Sequence, residues 1–229
     1  MTKPLEQLIE SKEPAWPLVS QWLKKANKPV EVLETHPRRG ADVLVALQVT
    51  TRSPMGAIAM QTGGLLIDHG WVRVLGGGCA RMEGDLARWN GLTAQPLVQP
   101  IAGAMFVATD AIGGFFALDG GALGNGKGAA FYLPPDTLEW EQLADGYSAL
   151  LQFFFTGDLS KFYADYRAAG WEAEVKALAP DKGWAFYPPL FAEAEAGKPR
   201  TREAVPLPEL LKLNMEIADQ LFGATLSKG

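Results

Sequence analysis

The chain has few of the residues that metal sites, disulfides and many catalytic centres require. Its 229 residues include one cysteine and two histidines. A single thiol excludes an internal disulfide. A zinc site of the usual kind needs more histidine or cysteine ligands than this sequence offers. We therefore predict neither a metal nor a cofactor.

Long hydrophobic runs and an excess of positive charge are also missing. No apolar run approaches the roughly 20 residues that span a bilayer, and the N-terminal stretch lacks the apolar core of a signal peptide. The formal net charge is −5. This charge disfavours nucleic acid and anionic membrane surfaces as partners, because both require clustered Lys and Arg. We expect a cytoplasmic protein that binds neither.

The composition is that of a soluble globular protein. Hydrophobic residues make up 48% of the chain and charged residues 21%, and there are seven tryptophans. These proportions support a substantial hydrophobic core. The length suits one large domain, so we predict a single domain over residues 1–229.

Hydrophobic periodicity places helices towards both ends of the chain and strands in the centre. This order predicts an α+β fold with a central, mainly antiparallel sheet of about five or six strands. Residues 184–187 are either a last strand or an aromatic plug. Helices are predicted over 5–9, 16–26, 38–49, 53–61, 85–89, 148–155, 159–167, 171–178 and 207–222, and strands over 30–33, 65–67, 71–75, 104–108, 114–118, 129–133 and 138–141.

The stretch 52–78 predicts a complete helix and hairpin unit. Ser53 with the proline after it begins a helix, because a serine hydroxyl can accept a bond from an amide of the first turn. Two glycines end that helix. Two short apolar strands follow, joined by the turn Asp68-His69-Gly70. Trp71 and Arg73 fall on one face of the second strand, and we expect Trp71 to be largely buried.

The same stretch carries a family resemblance. It combines with Asp-Ala-Ile-Gly-Gly-Phe-Phe-Ala-Leu-Asp-Gly-Gly-Ala-Leu-Gly at 110–124 and with shorter pieces at 135–140, 146–148 and 162–163. Over nearly the whole chain these motifs resemble an uncharacterised bacterial family of unknown function. The resemblance implies family membership but no activity.

A looser resemblance concerns the order of elements across 111–155. A glycine-rich strand, a second strand and a helix that begins Tyr-Ser and runs Leu-Leu-Gln-Phe are similar to the Smi1/Knr4-like (SUKH) superfamily. Many bacterial members of that superfamily are immunity proteins that bind and block toxins. The resemblance therefore implies a protein partner such as a toxin.

Residues of the hairpin unit are the first candidates for a binding site. The carboxylate of Asp68 beside His69 suggests general base catalysis, but neighbouring side chains tend to point apart, which favours a polar hairpin tip. Arg52 could pair with a buried carboxylate such as Asp68 or recognise an acidic partner. Asp110 could join other aspartates around a cation, although aspartate beside glycine is more typical of a turn. The candidate binding residues are Arg52, Asp68, His69, Trp71, Arg73 and Asp110.

Two further motifs indicate little chemistry. Cys79 follows three glycines and is a conceivable nucleophile, but a free cysteine is more often a small buried apolar group. The glycine-rich loop 124–128 lacks the spacing of a phosphate-binding Walker loop and precedes a strand instead of a helix. A hairpin or Ω-type loop is the better interpretation.

Three functions of different classes remain open, of which the last is a structural or oligomeric module that predicts a broad apolar patch on the surface. The first is a non-enzymatic protein-binding module of the SUKH or immunity type, whose acidic surface would suit a basic toxin. The alternative is a small-molecule enzyme that uses Arg52, Asp68 and His69 in a glycine-walled cleft. That enzyme requires His69 within hydrogen-bond reach of a carboxylate at the base of a pocket. The oligomeric state stays open.

Overall fold

The apolar strands in the middle of the chain pair in sequence order. The structure, a computed structural model, describes residues 2–9, 12–82, 84–124, 126–193 and 199–223. Within these ranges seven strands form one antiparallel sheet in which each strand pairs with the next along the chain. The strands are β1 (Val30–Leu33), β2 (Gly64–Ile67), β3 (Val72–Leu75), β4 (Ala104–Asp110), β5 (Phe115–Asp119), β6 (Ala130–Leu133) and β7 (Glu141–Ala144).

Helices precede and follow this sheet, as the sequence predicted, so the α+β class is confirmed. The helices of the described residues are α1 (Leu5–Leu8), α2 (Trp16–Lys25), α3 (Pro37–Leu47), α4 (Pro54–Gln61), α5 (Leu86–Trp89), α6 (Tyr147–Thr156), α7 (Leu159–Phe162), α8 (Trp171–Ala177) and α9 (Leu207–Phe222). None of them is both long enough and apolar enough to cross a bilayer.

Two local predictions were wrong, and one strand was missed. The strand expected at 138–141 begins at Glu141 instead, because Leu138 turns into the core with a φ of 58°. The helix expected at 159–167 breaks into α7 and a 3-10 turn at Ala164–Tyr166, and the break directs Tyr163 inwards. The chain also has a second, two-stranded sheet of β8 (Lys182–Tyr187) and β9 (Thr201–Pro206); its second strand was not predicted.

Polar side chains fix the helix starts. The Ser53 hydroxyl accepts a hydrogen bond from the Gly56 amide at 3.0 Å, which confirms the predicted start of α4 and satisfies an amide with no partner inside the helix. His36 does the same for α3, since its Nδ1 accepts from the Arg38 amide at 3.3 Å. His36, one of the two histidines of the chain, is therefore a helix cap.

The sheet is covered on both faces. Phe154 of α6 packs edge-on against Phe116 with ring centroids 4.9 Å apart, on the face that also carries Tyr132 and Asp110. On the opposite face Trp89 of α5 contacts Phe106 and Phe115. The residues between α8 and β8 cover more of that opposite face. They lie over β2 and β3, and the candidate site is found there.

Candidate functional site

The site begins with a row of residues across four strands. Glu31 is the register partner of Leu66, Leu66 of Arg73, and Arg73 of Thr109. Directly opposed residues of antiparallel strands project to the same face. The exposed edge strand contributes Glu31, whereas Leu66 is 6% exposed and Arg73 and Thr109 are each 1% exposed. The register therefore places one cationic side chain, that of Arg73, in the centre of the sheet.

Arg73 is buried without a hydrogen-bond partner in the described part of the chain. All three guanidinium nitrogens lack an acceptor. The buried carboxylate of Asp110 does not reach them, because Asp110 pairs in register with Val72 and so projects to the other face of the sheet. Burial lowers the pKa of Arg73 to about 10, and the nearby charges of Asp110 and Asp181 oppose this shift only in part. Arg73 therefore carries its positive charge at neutral pH.

A cavity of about 200 Å³ lies against Arg73. Its floor includes Leu66 and Arg73, the hairpin turn supplies His69, and residues 175–180 form the roof. Arg81 and Glu31 lie at the mouth, where their exposed side chains form an ion pair. The cavity thus leads from solvent to a buried cation.

The hairpin turn has three consecutive residues with positive φ. Besides Gly70, both Asp68 and His69 have positive φ angles, of 53° and 63°, a conformation in which aspartate and histidine are enriched among residues other than glycine. The His69 imidazole meets Trp171 edge-on with centroids 5.8 Å apart. It has no hydrogen bond to a described residue, so Asp68 and His69 do not form a catalytic dyad.

Asp68 instead pairs with Arg167. The Arg167 Nη1 and Asp68 Oδ2 atoms are 2.7 Å apart, and the side chains are only 5% and 11% exposed. The guanidinium carbon of Arg167 also lies 4.5 Å from the Trp71 ring and 3.9 Å from the Trp171 ring. Cation–π contacts of this kind are strongest where water is excluded. This cluster fastens α8, which begins the roof of the cavity, to the hairpin turn.

Asp110 has a structural environment. Its Oδ2 accepts hydrogen bonds from the hydroxyls of Tyr132 at 2.7 Å and Tyr163 at 3.1 Å, and its Oδ1 accepts from the amides of Ile112 and Gly114. Burial raises the pKa of Asp110, and these bonds oppose the shift. The described residues contain no cluster of three or more carboxylates, histidines or cysteines that could hold a metal ion.

The remaining candidates lie apart from the cavity or behind it. Arg52 forms an exposed ion pair with Glu13 at 2.7 Å, so the suggested pair with Asp68 is not formed. Trp71 is fully buried, as predicted, and packs against Trp171 and Trp184. Cys79 is partly buried. The structure therefore brings His69 and Arg73 to one cavity, places Asp68 and Trp71 behind it, and leaves Arg52 elsewhere.

The comparisons with known proteins identify a family. Residues 5–210 match the family described as "Protein of unknown function DUF2625". A chain matched over this length belongs to that family. The resemblance to an uncharacterised family is thereby confirmed, whereas nothing in the match carries the looser resemblance to the SUKH superfamily.

Two similar proteins are likewise described as uncharacterised. The chain is 38% identical to a "Putative uncharacterized protein YbfG" of Escherichia coli over 215 residues, which cover 94% of this chain and 97% of the relative. It is 36% identical to an "Uncharacterized protein" of Haemophilus influenzae over 186 residues, covering 81% of this chain and 82% of the relative. No solved structure matches the chain. The relatives are bacterial, and their descriptions assign no activity.

Proposed function

We propose that this protein binds a small molecule through an anionic group, and that Arg73 holds that group. The observation that carries the proposal is the buried guanidinium of Arg73, which lies beside a cavity and has no acceptor among the described residues. A buried charge without a partner destabilises a fold by several kcal/mol. A ligand anion would compensate this charge, and charged side chains that are costly to the fold are typical of functional sites.

Binding is better supported than catalysis. The enzyme alternative requires Arg52, Asp68 and His69 in one cleft. Arg52 instead forms an ion pair with Glu13, and the Asp68 carboxylate forms one with Arg167. The imidazole of His69 contacts an aromatic ring instead of a carboxylate. What the cavity offers is one buried positive charge, with apolar side chains in the roof and polar side chains at the mouth, an arrangement that can orient a ligand.

The test is calorimetric titration at low ionic strength with acetate, phosphate and sulfate as separate probes. At least one anion should bind the unmodified protein saturably, and Arg73→Met should abolish that binding. Arg52→Met is the matched control, because it removes an exposed guanidinium that lies away from the cavity and should keep the affinity within about twofold. Absence of binding by all three anions, or equal binding by Arg73→Met, would refute the proposal.

A protein partner such as a toxin is a second proposal, favoured by apolar side chains at the solvent face of α9. Leu213, Leu221 and Phe222 are 48%, 56% and 50% exposed, and such exposure is typical of interaction surfaces when the residues are contiguous. Growth rescue against toxins encoded near the gene tests it, with Leu213→Glu as the disabling variant. A panel that shows neither rescue nor binding contradicts it. A cytoplasmic location belongs to the same proposal.

A further inference from the structure

The walls around Arg73 indicate which anion it holds. We infer that the ligand is a short-chain monocarboxylate whose carboxylate bonds to Arg73 and whose apolar chain extends under residues 175–180. This inference rests on the proposed function. Three observations lead to this class of ligand: the type of cation, the apolar roof, and the state of the charges at the mouth.

The cation is a guanidinium held in a strand. Its planar set of donors matches a carboxylate, because two parallel N–H groups meet two coplanar oxygens. The neighbours of Arg73 in the register are Leu66 and Thr109, and β3 is buried along its whole length. Each guanidinium nitrogen of Arg73 exposes less than 1 Å², so the roof must move slightly for a carboxylate to reach it.

The roof and floor of the cavity are largely apolar, whereas its mouth is polar. Val175 and Leu178 of the roof are buried, at 1% and 8% exposure, and Leu66 forms the floor beside Arg73. A cavity of about 200 Å³ is smaller than the roughly 300–1,000 Å³ of drug-sized ligand sites, which favours a ligand of few atoms. Propionate, butyrate and valerate have five, six and seven non-hydrogen atoms, so the cavity accommodates them with their apolar chains against these walls.

The charges at the mouth disfavour a second anionic group. Arg81 is already paired with Glu31, and both side chains are more than half exposed. Lys176 lies on the solvent side of α8, where a charge is well hydrated and attracts an anion only weakly. Arg73 is thus the one lining cation of the described chain that is both buried and without an acceptor, which favours a single negative charge.

A chain-length series tests the inference. Calorimetric titration of the unmodified protein with acetate, propionate, butyrate, valerate and octanoate should show affinity rising about fourfold for each added methylene up to valerate, as expected for burial of a CH₂ group. Octanoate should gain little affinity over valerate, because the methylenes added beyond the cavity extend from its mouth into solvent. Phosphate and succinate should each bind at least tenfold more weakly than butyrate. Leu178→Ser should reduce the affinity for butyrate but not for acetate.

The outcomes separate the inference from the function on which it rests. If phosphate or succinate binds as tightly as butyrate and loses binding in Arg73→Met, Arg73 is an anion site but the monocarboxylate inference is wrong. A flat affinity from acetate to valerate also overturns it. If none of these anions binds, the proposed function fails as well.

Discussion

Replacing Arg73 by methionine should make the protein more stable. Burial lowers the pKa of this guanidinium from 12.5 to about 10, which corresponds to a cost of about 3 kcal/mol for the charged form in the fold. Methionine has a similar length and no charge, so the cost disappears. Asp110 retains its four hydrogen-bond donors in the variant, although it loses a favourable cation.

We therefore expect Arg73→Met to raise the free energy of unfolding by about 1–3 kcal/mol, within the range found when buried charges are replaced by apolar side chains. In a chain of 229 residues this gain corresponds to a melting temperature about 2–12 °C higher. Urea unfolding followed by tryptophan fluorescence measures it, provided that the slope against urea is unchanged.

Arg81→Met is the control for this measurement. Arg81 is 57% exposed and pairs with an exposed Glu31, and such surface pairs contribute about 0–1 kcal/mol, so its removal should leave stability equal or slightly lower. If Arg73→Met is no more stable than the unmodified protein, the Arg73 charge is already compensated within the fold. The reasoning that leads from Arg73 to a ligand would then be refuted.

Three further predictions concern the surroundings of the cavity. Trp71→Ala should destabilise the protein by about 3–5 kcal/mol, as large core truncations do, whereas His69→Ala should cost about 1 kcal/mol or less, since it removes one edge-on aromatic contact; urea unfolding measures both. Arg167→Met should cost about 3–5 kcal/mol, because it leaves the Asp68 carboxylate buried without its partner, and adding Asp68→Asn should restore part of the loss. The free energy of unfolding should fall as the pH rises above about 10. A tyrosine ionises there in the unfolded chain, whereas burial raises the pKa of four tyrosines in the fold. Tyrosinate absorbance at 295 nm should therefore increase together with unfolding. These tyrosines are Tyr132, Tyr147, Tyr163 and Tyr166.

Each of these predictions has a contradicting result. A nearly neutral Trp71→Ala would mean that the hairpin unit does not depend on its central aromatic residue. An Arg167→Met variant as stable as the unmodified protein would show that the Asp68–Arg167 pair does not hold the roof of the cavity. Ionisation of four or more tyrosines in the folded protein at pH 10–11 would show that their hydroxyls are accessible to solvent.

Local signals in the sequence predicted most of the central fold. Ser53 before a proline, two glycines after the helix, and alternating apolar residues each depend on neighbours within a few positions. The hairpin and the burial of Trp71 followed from these. The second strand of the two-stranded sheet was missed because Thr201–Pro206 is mostly exposed, so its composition carries no hydrophobic alternation.

The site depends on contacts that are distant in sequence. Arg167 and Asp68 are brought together by folding, and nothing near Asp68 indicates its partner. The placement of Arg73 on a face with Thr109, and of Asp110 on the other, follows from the strand register, which the sequence alone does not define. Arg73 was named as a candidate because it lies on the face of Trp71, but its lack of an acceptor became visible only in three dimensions.

The most direct test of the central claim is a crystal structure of the protein grown with butyrate. We expect the butyrate carboxylate in the cavity, with its two oxygens about 2.7–2.9 Å from two nitrogens of Arg73 and its chain against Leu66 and Leu178. A structure in which Arg73 is instead paired with a carboxylate of the chain itself, such as Asp181, and no butyrate lies in the cavity would contradict it.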